Sequence, residues 1–526
     1  LDASGFPGRV RSIRHSPHLA DTTYETLAPF RPEPSSSAPA TLARPAEPDP
    51  TAMDTAARPI AASSAVPSAS EPSDAPSFPV DLALGFAATV AMWAIGYLCM
   101  TAPGLVVGEI LFVATIAALL VVAAVAGRLH PAGLAPISPL RRGVRVGVVS
   151  ASVNLLIVGS LFGSDADLAT ATLWIGGLYA VSIAVGLAGG WIGGRLRPWR
   201  VEVAPLGLFA AVAATAVFLL LVTGGLVTGM EAGLAVPDWP NSFGHNMLLY
   251  PLSEMTGGIY YEHAHRLYGM LVGVTSLAFA VLAWRLDRRG VVRGVALAVL
   301  LMVCVQGLMG GLRVTGNLTM SQDAADLAPN LGLAIAHGVF GQVIFATFCG
   351  LAIATSRTWR DAVPRRAHTA ETDRFLSGLL PVLLIGQLVL GACYRHLQVH
   401  GEGGLESHPL WALHSHITLG VLVTALAVAV GLRNWGGHGD RPVLRRLGVA
   451  LMAIVSLQLL LGVVALIAVL VRSGPSIPVW EIVATSAHQA TGAALLGIST
   501  SLAVWTRRLV IAEPAAAPAT ANPSPA

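Results

Sequence analysis

Residues 265–284 read HRLYGMLVGVTSLAFAVLAW, an apolar run with a histidine and an arginine at its start. A helix of this length can cross about 30 Å of hydrocarbon, and the run holds no acidic residue that would oppose insertion. Gly269 follows His265 by four residues, which places it one turn further along the same helical face. The stretch therefore predicts a membrane-spanning helix with a polar group near one end.

The composition of the whole chain indicates a membrane protein. Hydrophobic residues make up 54% of its 526 residues and charged residues 12%, whereas soluble chains carry about 25% charged residues. The net charge is +3, and the basic residues lie at the ends of apolar runs, so nucleic-acid binding has no support. The cysteines form no CxxC pair, which favours a packing role over a disulfide or a zinc site. They are Cys99, Cys304, Cys349 and Cys393.

Similar apolar runs recur from residue 80 onward and predict about twelve transmembrane helices. Each must be a helix because lipid offers the backbone no hydrogen-bond partner. The runs span residues 80–101, 106–127, 144–163, 170–194, 205–228, 262–285, 294–314, 331–355, 376–394, 409–432, 447–471 and 482–505. The predicted fold is an all-α integral membrane protein. Its eight-helix core comprises two pseudo-symmetric four-helix bundles, preceded by four extra amino-terminal spans.

Arginines decide the predicted orientation, since they cluster after every second span while the intervening loops are mostly acidic. The positive-inside rule then places both termini in the cytoplasm of a bacterial cell, with the protein in the inner (plasma) membrane. The loops at 229–261, 315–330, 395–408 and 472–481 are predicted to face outward.

The chain divides into five predicted segments. Two are rich in Pro, Ser or Ala and are predicted to be disordered, because they cannot bury enough apolar surface to offset the entropy of ordering. The extra four-span module has neither the histidine pattern described next nor a notable acid within the membrane, and its role cannot be read. The segments are a tail at 1–78, the module at 79–198, the core halves at 199–365 and 366–508, and a tail at 509–526.

A fourfold repeat runs through the core. Every second core helix carries a histidine followed four residues later by glycine, as in His265/Gly269, His337/Gly341, His416/Gly420 and His488/Gly492. The helices between them carry glutamine followed four residues later by glycine, as in Gln306/Gly310, Gln387/Gly391 and Gln458/Gly462. The first of these helices departs from the pattern and reads VTGGLVTG at residues 222–229.

The four histidines are predicted to lie at one depth near the outer face of the membrane. An ionisable residue within a membrane is functional by default, and a haem iron takes one axial nitrogen on each face. The repeat therefore predicts two bis-histidine haems, with the glycine leaving room for the flat porphyrin. A lone histidine with a glycine one turn later would be an ordinary packing feature. Zinc or copper is an alternative that the absence of a thiolate or carboxylate cluster disfavours.

Two further histidines lie close to the repeat. His263 and His414 each precede a predicted ligand by two residues and so point about 200° away around the helix. The choice between His414 and His416 as the ligand stays open, with His416 preferred because it keeps the register of the repeat.

Two stretches resemble the haem A synthase family. They are GGLVTGMEAGLAVPDWPNSFG at 224–244 and YYEHAHRLYGMLVG at 260–273, and the resemblance extends over about residues 205–508. In that family a Glu-x-x-His-Arg signature supplies a catalytic carboxylate and a haem ligand, which here correspond to Glu262, His265 and Arg266. The resemblance implies oxidation of the C8 methyl group of haem O to the formyl group of haem A, through hydroxylated intermediates, for cytochrome oxidase biogenesis.

The resemblance also distributes the haems between the halves. His265 and His337 would bind the substrate haem O and release haem A, whereas His416 and His488 would hold a permanent haem b that passes electrons. Haem O synthase and cytochrome oxidase assembly factors are the implied partners, besides membrane lipid, and self-association is left open.

Glu262 and several arginines add to this interpretation from their positions alone. Glu262 shares a helix face with His265 and could accept a proton or stabilise developing positive charge. The alternative is a solvated glutamate favoured by the helix dipole. Four arginines lie at outer helix ends and could pair with haem propionates or simply extend to water. They are Arg266, Arg313, Arg395 and Arg472.

Asp238 and Trp239 lie in the first outer loop, where the tryptophan could cover the haem.

Two alternative functions stay open. A non-catalytic di-haem cytochrome b that relays electrons is one alternative function, and it would not need Glu262. A haem transporter or chaperone is another, although all the predicted ligands lie on one side of the membrane.

Overall fold

A computed structural model describes residues 77–101, 105–131, 134–162, 166–315, 331–397, 399–400, 406–407, 409–474 and 476–513. All of these lie in the compact unit Ala69–Ala526. Most of the two predicted tails, the whole loop at 316–330 and much of the loop at 395–408 fall outside the described residues. The tail predicted from residue 509 begins with ordered structure, because Val510–Ala512 forms a strand.

Thirteen helices account for most of the described chain. Their bounds are α1 Phe78–Thr101, α2 Leu105–Arg128, α3 Pro139–Phe162, α4 Leu168–Arg195, α5 Pro205–Gly229, α6 Gly257–Leu286, α7 Gly290–Thr315, α8 Leu331–Ala354, α9 Arg357–Asp361, α10 Ala370–His396, α11 Leu410–Leu432, α12 Pro442–Val471 and α13 Val479–Leu509. Every predicted span coincides with one of the twelve long helices. Several helices run further than their span, because their polar ends continue the helix beyond the apolar run.

Eleven of these helices are long and apolar enough to cross a membrane, the tenth including residues up to Gly437. The chain is therefore a multi-pass membrane protein. The predicted twelfth span corresponds to α13, which has 31 residues but is less apolar than the other eleven. Helix α13 packs against α5, α8, α10 and α12. Because it is surrounded mainly by protein, it can carry polar side chains that a lipid-facing helix could not.

The eight core helices form two bundles of four. Helices α5 to α8 pack in a ring in which each contacts the next and α5 closes on α8, and α10 to α13 pack in the same way. The two bundles meet where α13 contacts α5 and α8 and where α10 contacts α8. This arrangement agrees with the predicted pair of pseudo-symmetric halves.

The extra module, α1–α4, packs as a separate group of helices against the outside of the first bundle. Helix α1 contacts α5 and α6, and α3 contacts α6 and the outer loop near Leu248. The prediction that the module lacks a notable embedded acid is wrong. The Asp81 side chain is fully buried, with its carboxylate 3.1 Å from Arg145 Nη1 and 3.8 Å from Arg142 Nε. Asp81 was overlooked in the sequence because this acid lies near the start of α1, at the edge of the apolar run.

Short strands connect the helix ends in pairs. Strand β1 Leu129–Pro131 pairs with β2 Trp199–Val201, and β5 Arg365–Ala367 pairs with β8 Val510–Ala512, both in parallel. Strand β3 Asn241–Ser242 pairs with β4 His245–Asn246, and β6 Val399–His400 pairs with β7 Glu406–Ser407, both antiparallel. The β3–β4 hairpin belongs to the loop between α5 and α6, which lies at the histidine end of the first bundle.

Candidate functional site

The four repeat histidines meet in two pairs across the bundles. His265 on α6 faces His337 on α8, with ring centres 6.4 Å apart and ring planes inclined by 67°. His416 on α11 faces His488 on α13, with ring centres 6.3 Å apart and planes inclined by 75°. Each pair joins the second and fourth helices of its bundle, so the two sites have the same architecture.

This separation fits a single iron atom between two imidazoles. A metal–imidazole bond of about 2.0 Å, plus about 1.1 Å from nitrogen to ring centre, places two opposed ring centres about 6.2 Å apart. Within the described residues, no group of three or more His, Cys, Asp or Glu side chains is arranged to hold a metal ion. Two protein ligands per site suit haem, because the porphyrin supplies the remaining four nitrogens.

Each imidazole lies against a glycine of the preceding helix. A Cβ atom added to any of these glycines would come within 2.9–3.1 Å of the histidine Cε1 atom. The pairs are Gly224 with His265, Gly310 with His337, Gly391 with His416 and Gly462 with His488. The glycine of the Gln-x3-Gly pattern therefore makes room for the ligand ring.

The glycine of the His-x3-Gly pattern has a different neighbour from the one expected. At Gly341, Gly420 and Gly492 an added Cβ would meet the amide nitrogen of a glutamine at 3.1–3.3 Å. The glutamines are Gln306, Gln387 and Gln458 of the preceding helices. In these three cases the glycine accommodates a glutamine side chain, and its contact with a porphyrin stays a prediction. At Gly269 an added Cβ would meet no atom within 4 Å.

Hydrogen bonds orient the histidine rings. His416 Nδ1 lies 3.1 Å from the Gln387 carbonyl oxygen, and His265 Nδ1 lies 3.1 Å from the Thr223 hydroxyl oxygen. When Nδ1–H donates in this way, Nε2 is left with a free lone pair for a metal. Nδ1 of His337 and Nδ1 of His488 have no hydrogen-bond partner among the described residues. His488 Nε2 lies 3.4 Å from Gln458 Nε2.

The structure separates the two ambiguous histidines from the ligand pairs. His414 is exposed, whereas His416 reaches His488. His263 is fully buried on the other side of α6, with Nδ1 3.0 Å from Ser242 Oγ and its ring centre 5.0 Å from that of Tyr250. His263 therefore contacts the outer loop and lies on the side of α6 away from His337.

Glu262 is buried, and both of its carboxylate oxygens have partners. One carboxylate oxygen lies 2.7 Å from Arg266 Nη2, and the other accepts a 2.9 Å hydrogen bond from the Val236 amide. Arg266 also donates to the carbonyl oxygens of Val236, Asp238 and Asn241. These contacts give Arg266 a structural role in the outer loop, and its pairing with a propionate stays a prediction.

The other three arginines lie around the outer ends of the bundles. Arg313 is close enough to His265 and His337 to act on both electrostatically, and its buried Nε has no hydrogen-bond partner among the residues that the structure describes. Arg395 donates from α10 to the Thr228 carbonyl of α5 at 2.8 Å and so links the two bundles. Arg472 Nε lies 3.8 Å from Glu481.

The outer loop is held over the first histidine pair. The Trp239 indole lies flat against the backbone at Gly311, where an added Cβ would be 2.4 Å from the ring. Gly310, the neighbouring residue, contacts His337. The Asp238 carboxylate accepts hydrogen bonds from the amides of Phe243 and Gly244 at 2.7 and 2.8 Å. Burial alone would raise the pKa of Asp238, but these amides and Arg266 together lower it below its ordinary value.

Sequence reasoning missed Thr223 and His396. Thr223 is buried beside His265. Its position directly before Gly224, the glycine that contacts His265, could have indicated this role. His396 ends α10 and lies near Arg313, Arg395 and His337. No sequence pattern pointed to His396, because it is brought there by the contact between the two bundles.

Part of the chain is similar to proteins that take part in cytochrome oxidase assembly or haem A synthesis. The sequence profile of a family described as cytochrome oxidase assembly protein matches residues 207–400. A haem A synthase of Listeria monocytogenes serotype 4a (strain HCC23) is 30% identical over 142 residues, which is 27% of this chain. One from Alkalihalophilus pseudofirmus is 27% identical over 130 residues, which is 24% of this chain. In both cases the match spans 41% of the relative's length.

Proposed function

We propose that this chain converts haem O to haem A, because residues 207–400 match a cytochrome oxidase assembly protein family and because it is similar to haem A synthases. The C8 methyl group would be oxidised to a formyl group through hydroxylated intermediates, for cytochrome oxidase biogenesis. The observation that carries the proposal is the pair of opposed imidazoles in each bundle, spaced at 6.4 and 6.3 Å. This spacing suits one haem iron in each half.

The two halves would have different tasks. His265 and His337 would hold the substrate haem, and His416 and His488 would hold a resident haem b. The contacts of the outer loop with Glu262, Arg266 and Gly311 support this assignment, since they cover the first pair with polar groups and an indole. A haem b held by His416 and His488 would supply a one-electron redox centre.

Glu262 is the residue that we assign to the reaction itself. A buried carboxylate three residues before a ligand lies on the same helix face as that ligand. Its charge would stabilise positive charge developing at the oxidised methyl, and it could take up a proton. The Val236 amide and Arg266 would hold it in place. Arg313, with an unpartnered buried Nε, would bind a propionate.

Replacing Glu262 by glutamine tests this role. Glu262→Gln keeps an oxygen that can accept from the Val236 amide but removes the negative charge. We expect both haems to remain bound while haem A output falls about 100-fold or more, the usual effect of losing an acid–base group. The measurement is acid–acetone extraction and chromatography of pigment after co-expression with a haem O synthase.

Glu254→Gln is the matched control, because Glu254 is an exposed acid of the same loop. Its haem A output should match the wild type. Normal haem A output from Glu262→Gln would remove the catalytic assignment. Loss of the first-half haem together with the product would instead make Glu262 a residue that positions the loop.

A di-haem cytochrome b is the second candidate function. It is favoured by the nearly identical geometry of the two histidine pairs and by the engagement of both Glu262 oxygens in structural contacts. The same extraction separates the two functions. Haem A or hydroxylated haem O in the extract indicates a synthase, whereas haem B alone indicates an electron carrier.

We propose the bacterial inner (plasma) membrane as the location, with both termini in the cytoplasm. The arginine distribution supports this orientation through the positive-inside rule. Haem O is a hydrophobic product of another membrane enzyme, so a haem O synthase and cytochrome oxidase assembly factors are the proposed partners.

A further inference from the structure

Three of the four ligand histidines have a glutamine at the same place on the preceding helix, and His265 does not. Each faces a glycine of the preceding helix, and the residue four positions before that glycine is the one whose carbonyl His416 Nδ1 contacts in its own site. This residue is Gln306, Gln387 or Gln458 in three sites and Leu220 in the site of His265. The pseudo-symmetry of the bundles thus makes Leu220 the counterpart of the three glutamines.

The glutamines bind the histidine-bearing helices. Gln306 Nε2 donates to the His337 carbonyl at 2.9 Å, and Gln387 Nε2 donates to the His416 carbonyl at 2.8 Å. Gln458 is turned differently: its Oε1 accepts from the Thr491 hydroxyl on the helix of His488, and its Nε2 lies 3.4 Å from His488 Nε2. Each glutamine also fills the space at the glycine one turn beyond the histidine. Leu220 can make no such hydrogen bond, and no atom of the described residues fills the space at Gly269.

The His265 site differs at a second position. Thr223, directly before Gly224, has Met309, Leu390 and Leu461 as its counterparts. Its hydroxyl donates to the Leu220 carbonyl at 2.9 Å and places its oxygen 3.1 Å from His265 Nδ1. His265 therefore faces a hydroxyl oxygen, whereas His416 faces a carbonyl oxygen.

We propose that Leu220 and Thr223 make His265 the exchangeable ligand and so distinguish a site that releases its haem from one that retains it. A weaker acceptor on Nδ1–H lowers the basicity of the metal-binding nitrogen, and outer partners of this kind change metal affinity about 10- to 100-fold. A helix without a glutamine clamp can also move more easily as haem enters or leaves. The inference rests on the proposed function in taking the first half as the substrate site.

Haem transfer from the full-length chain in detergent to apomyoglobin tests the inference. The protein is loaded with haem b in both sites, so the measurement does not depend on oxidation. We expect two phases in the wild type, with the fast phase absent from His337→Ala. Leu220→Gln should slow the fast phase about 10- to 100-fold, and Gln387→Leu should accelerate the slow phase while leaving the fast one unchanged.

Thr223→Val is the second variant, since it removes the hydroxyl while keeping the branched shape. It leaves the Leu220 carbonyl as the acceptor and should also slow the fast phase. Equal release rates from both sites in the wild type would overturn the inference. So would a fast phase that changes in neither Leu220→Gln nor Thr223→Val. Different haem release rates from the two sites without any haem A formation would uphold the inference and reject the synthase function. Haem A formation with equal release rates would support the synthase function and reject the inference.

Discussion

A histidine within a membrane needs partners for both ring nitrogens, because an unsatisfied polar atom there costs several kcal/mol. In His265 and His416 the protein supplies a partner for Nδ1. Nε2 of each ring can then turn toward the opposing imidazole. Single residues such as Thr223 and Gln387 therefore decide which nitrogen is available to a metal. The chemistry of the site depends on these neighbours as well as on the histidines.

The outer loop at Asp238 is predicted to open at low pH. Its pKa is lowered in the folded protein, so its contribution to stability is fully present above the ordinary value of about 3.9 and is lost as the pH falls through the lowered pKa. We expect the Phe243 and Gly244 amides to become exposed to exchange only below about pH 4. Hydrogen exchange corrected for its intrinsic pH dependence measures this.

Asp238→Asn is the control for this prediction, because asparagine does not titrate in this range. Its loop should exchange at a rate that is independent of pH after correction. The same acid-induced opening in Asp238→Asn would show that another group controls the loop.

The register of single residues could be predicted from the sequence, whereas their contacts could not. The repeat favoured His416 over His414, and the structure places His416 opposite His488, because helical periodicity fixes the side of a helix on which a residue lies. Periodicity gives no information about the opposite helix. For this reason Gly341 was assigned to a porphyrin although it faces Gln306. Glu262 was likewise expected from a helix face, but its partner Val236 comes from a folded loop.

At the scale of elements, the repeating unit is a pair of adjacent helices. The first helix supplies a glycine for the ring and, in three pairs, a glutamine for the helix that carries it. The second helix supplies the ligand and a glycine that accommodates the glutamine. This reciprocal fit explains why both patterns have glycine at the fourth position and why the two patterns alternate along the chain.

Gly391→Ala tests this fit. An added methyl group would stand 3.0 Å from His416 Cε1 and would push the imidazole away from His488. We expect the second-half haem to bind about 10-fold more weakly or to be lost, with the first-half haem unchanged. The measurement is haem content by the pyridine haemochrome assay.

Gly386→Ala is the matched control on the same helix. An added Cβ there would make an ordinary 3.6 Å contact with Leu419, and alanine favours the helix by about 1 kcal/mol over glycine. Full haem content is therefore expected. Full haem content in Gly391→Ala as well would show that the ring does not depend on this glycine.

In the whole molecule, the extra module packs against the first bundle and supports it. Tyr260 on α6 donates to the Tyr97 carbonyl on α1 at 2.7 Å, and Trp93 and Tyr97 pack edge-on against Tyr268. These contacts lie on α6, which also carries Glu262 and His265. The sequence predicted the module as four spans but gave no sign of this role, because aromatic residues on two distant helices have no shared pattern.

Gly159→Ala tests the connection between the module and the outer loop. An added Cβ on α3 would lie 2.3 Å from the Leu248 carbonyl oxygen, so the loop would have to move. We expect both haems to remain bound, haem A output to fall, and stability to drop by about 1–3 kcal/mol. Haem A chromatography and thermal unfolding measure the two effects.

Gly176→Ala in α4 is the control, since an added Cβ there meets no atom within 4 Å. It should behave as the wild type. If Gly159→Ala also keeps normal output and stability, the module does not support the loop.

The central claim is that each core bundle holds one haem between two histidines, and counting haems per chain tests it most directly. Purified wild-type protein, His337→Ala and His488→Ala are compared by pyridine haemochrome assay and by low-spin absorption spectra. We predict two haems in the wild type and the loss of one bis-histidine haem in each variant, from different halves. A colourless wild type, or a variant that retains both low-spin haems, would contradict the account.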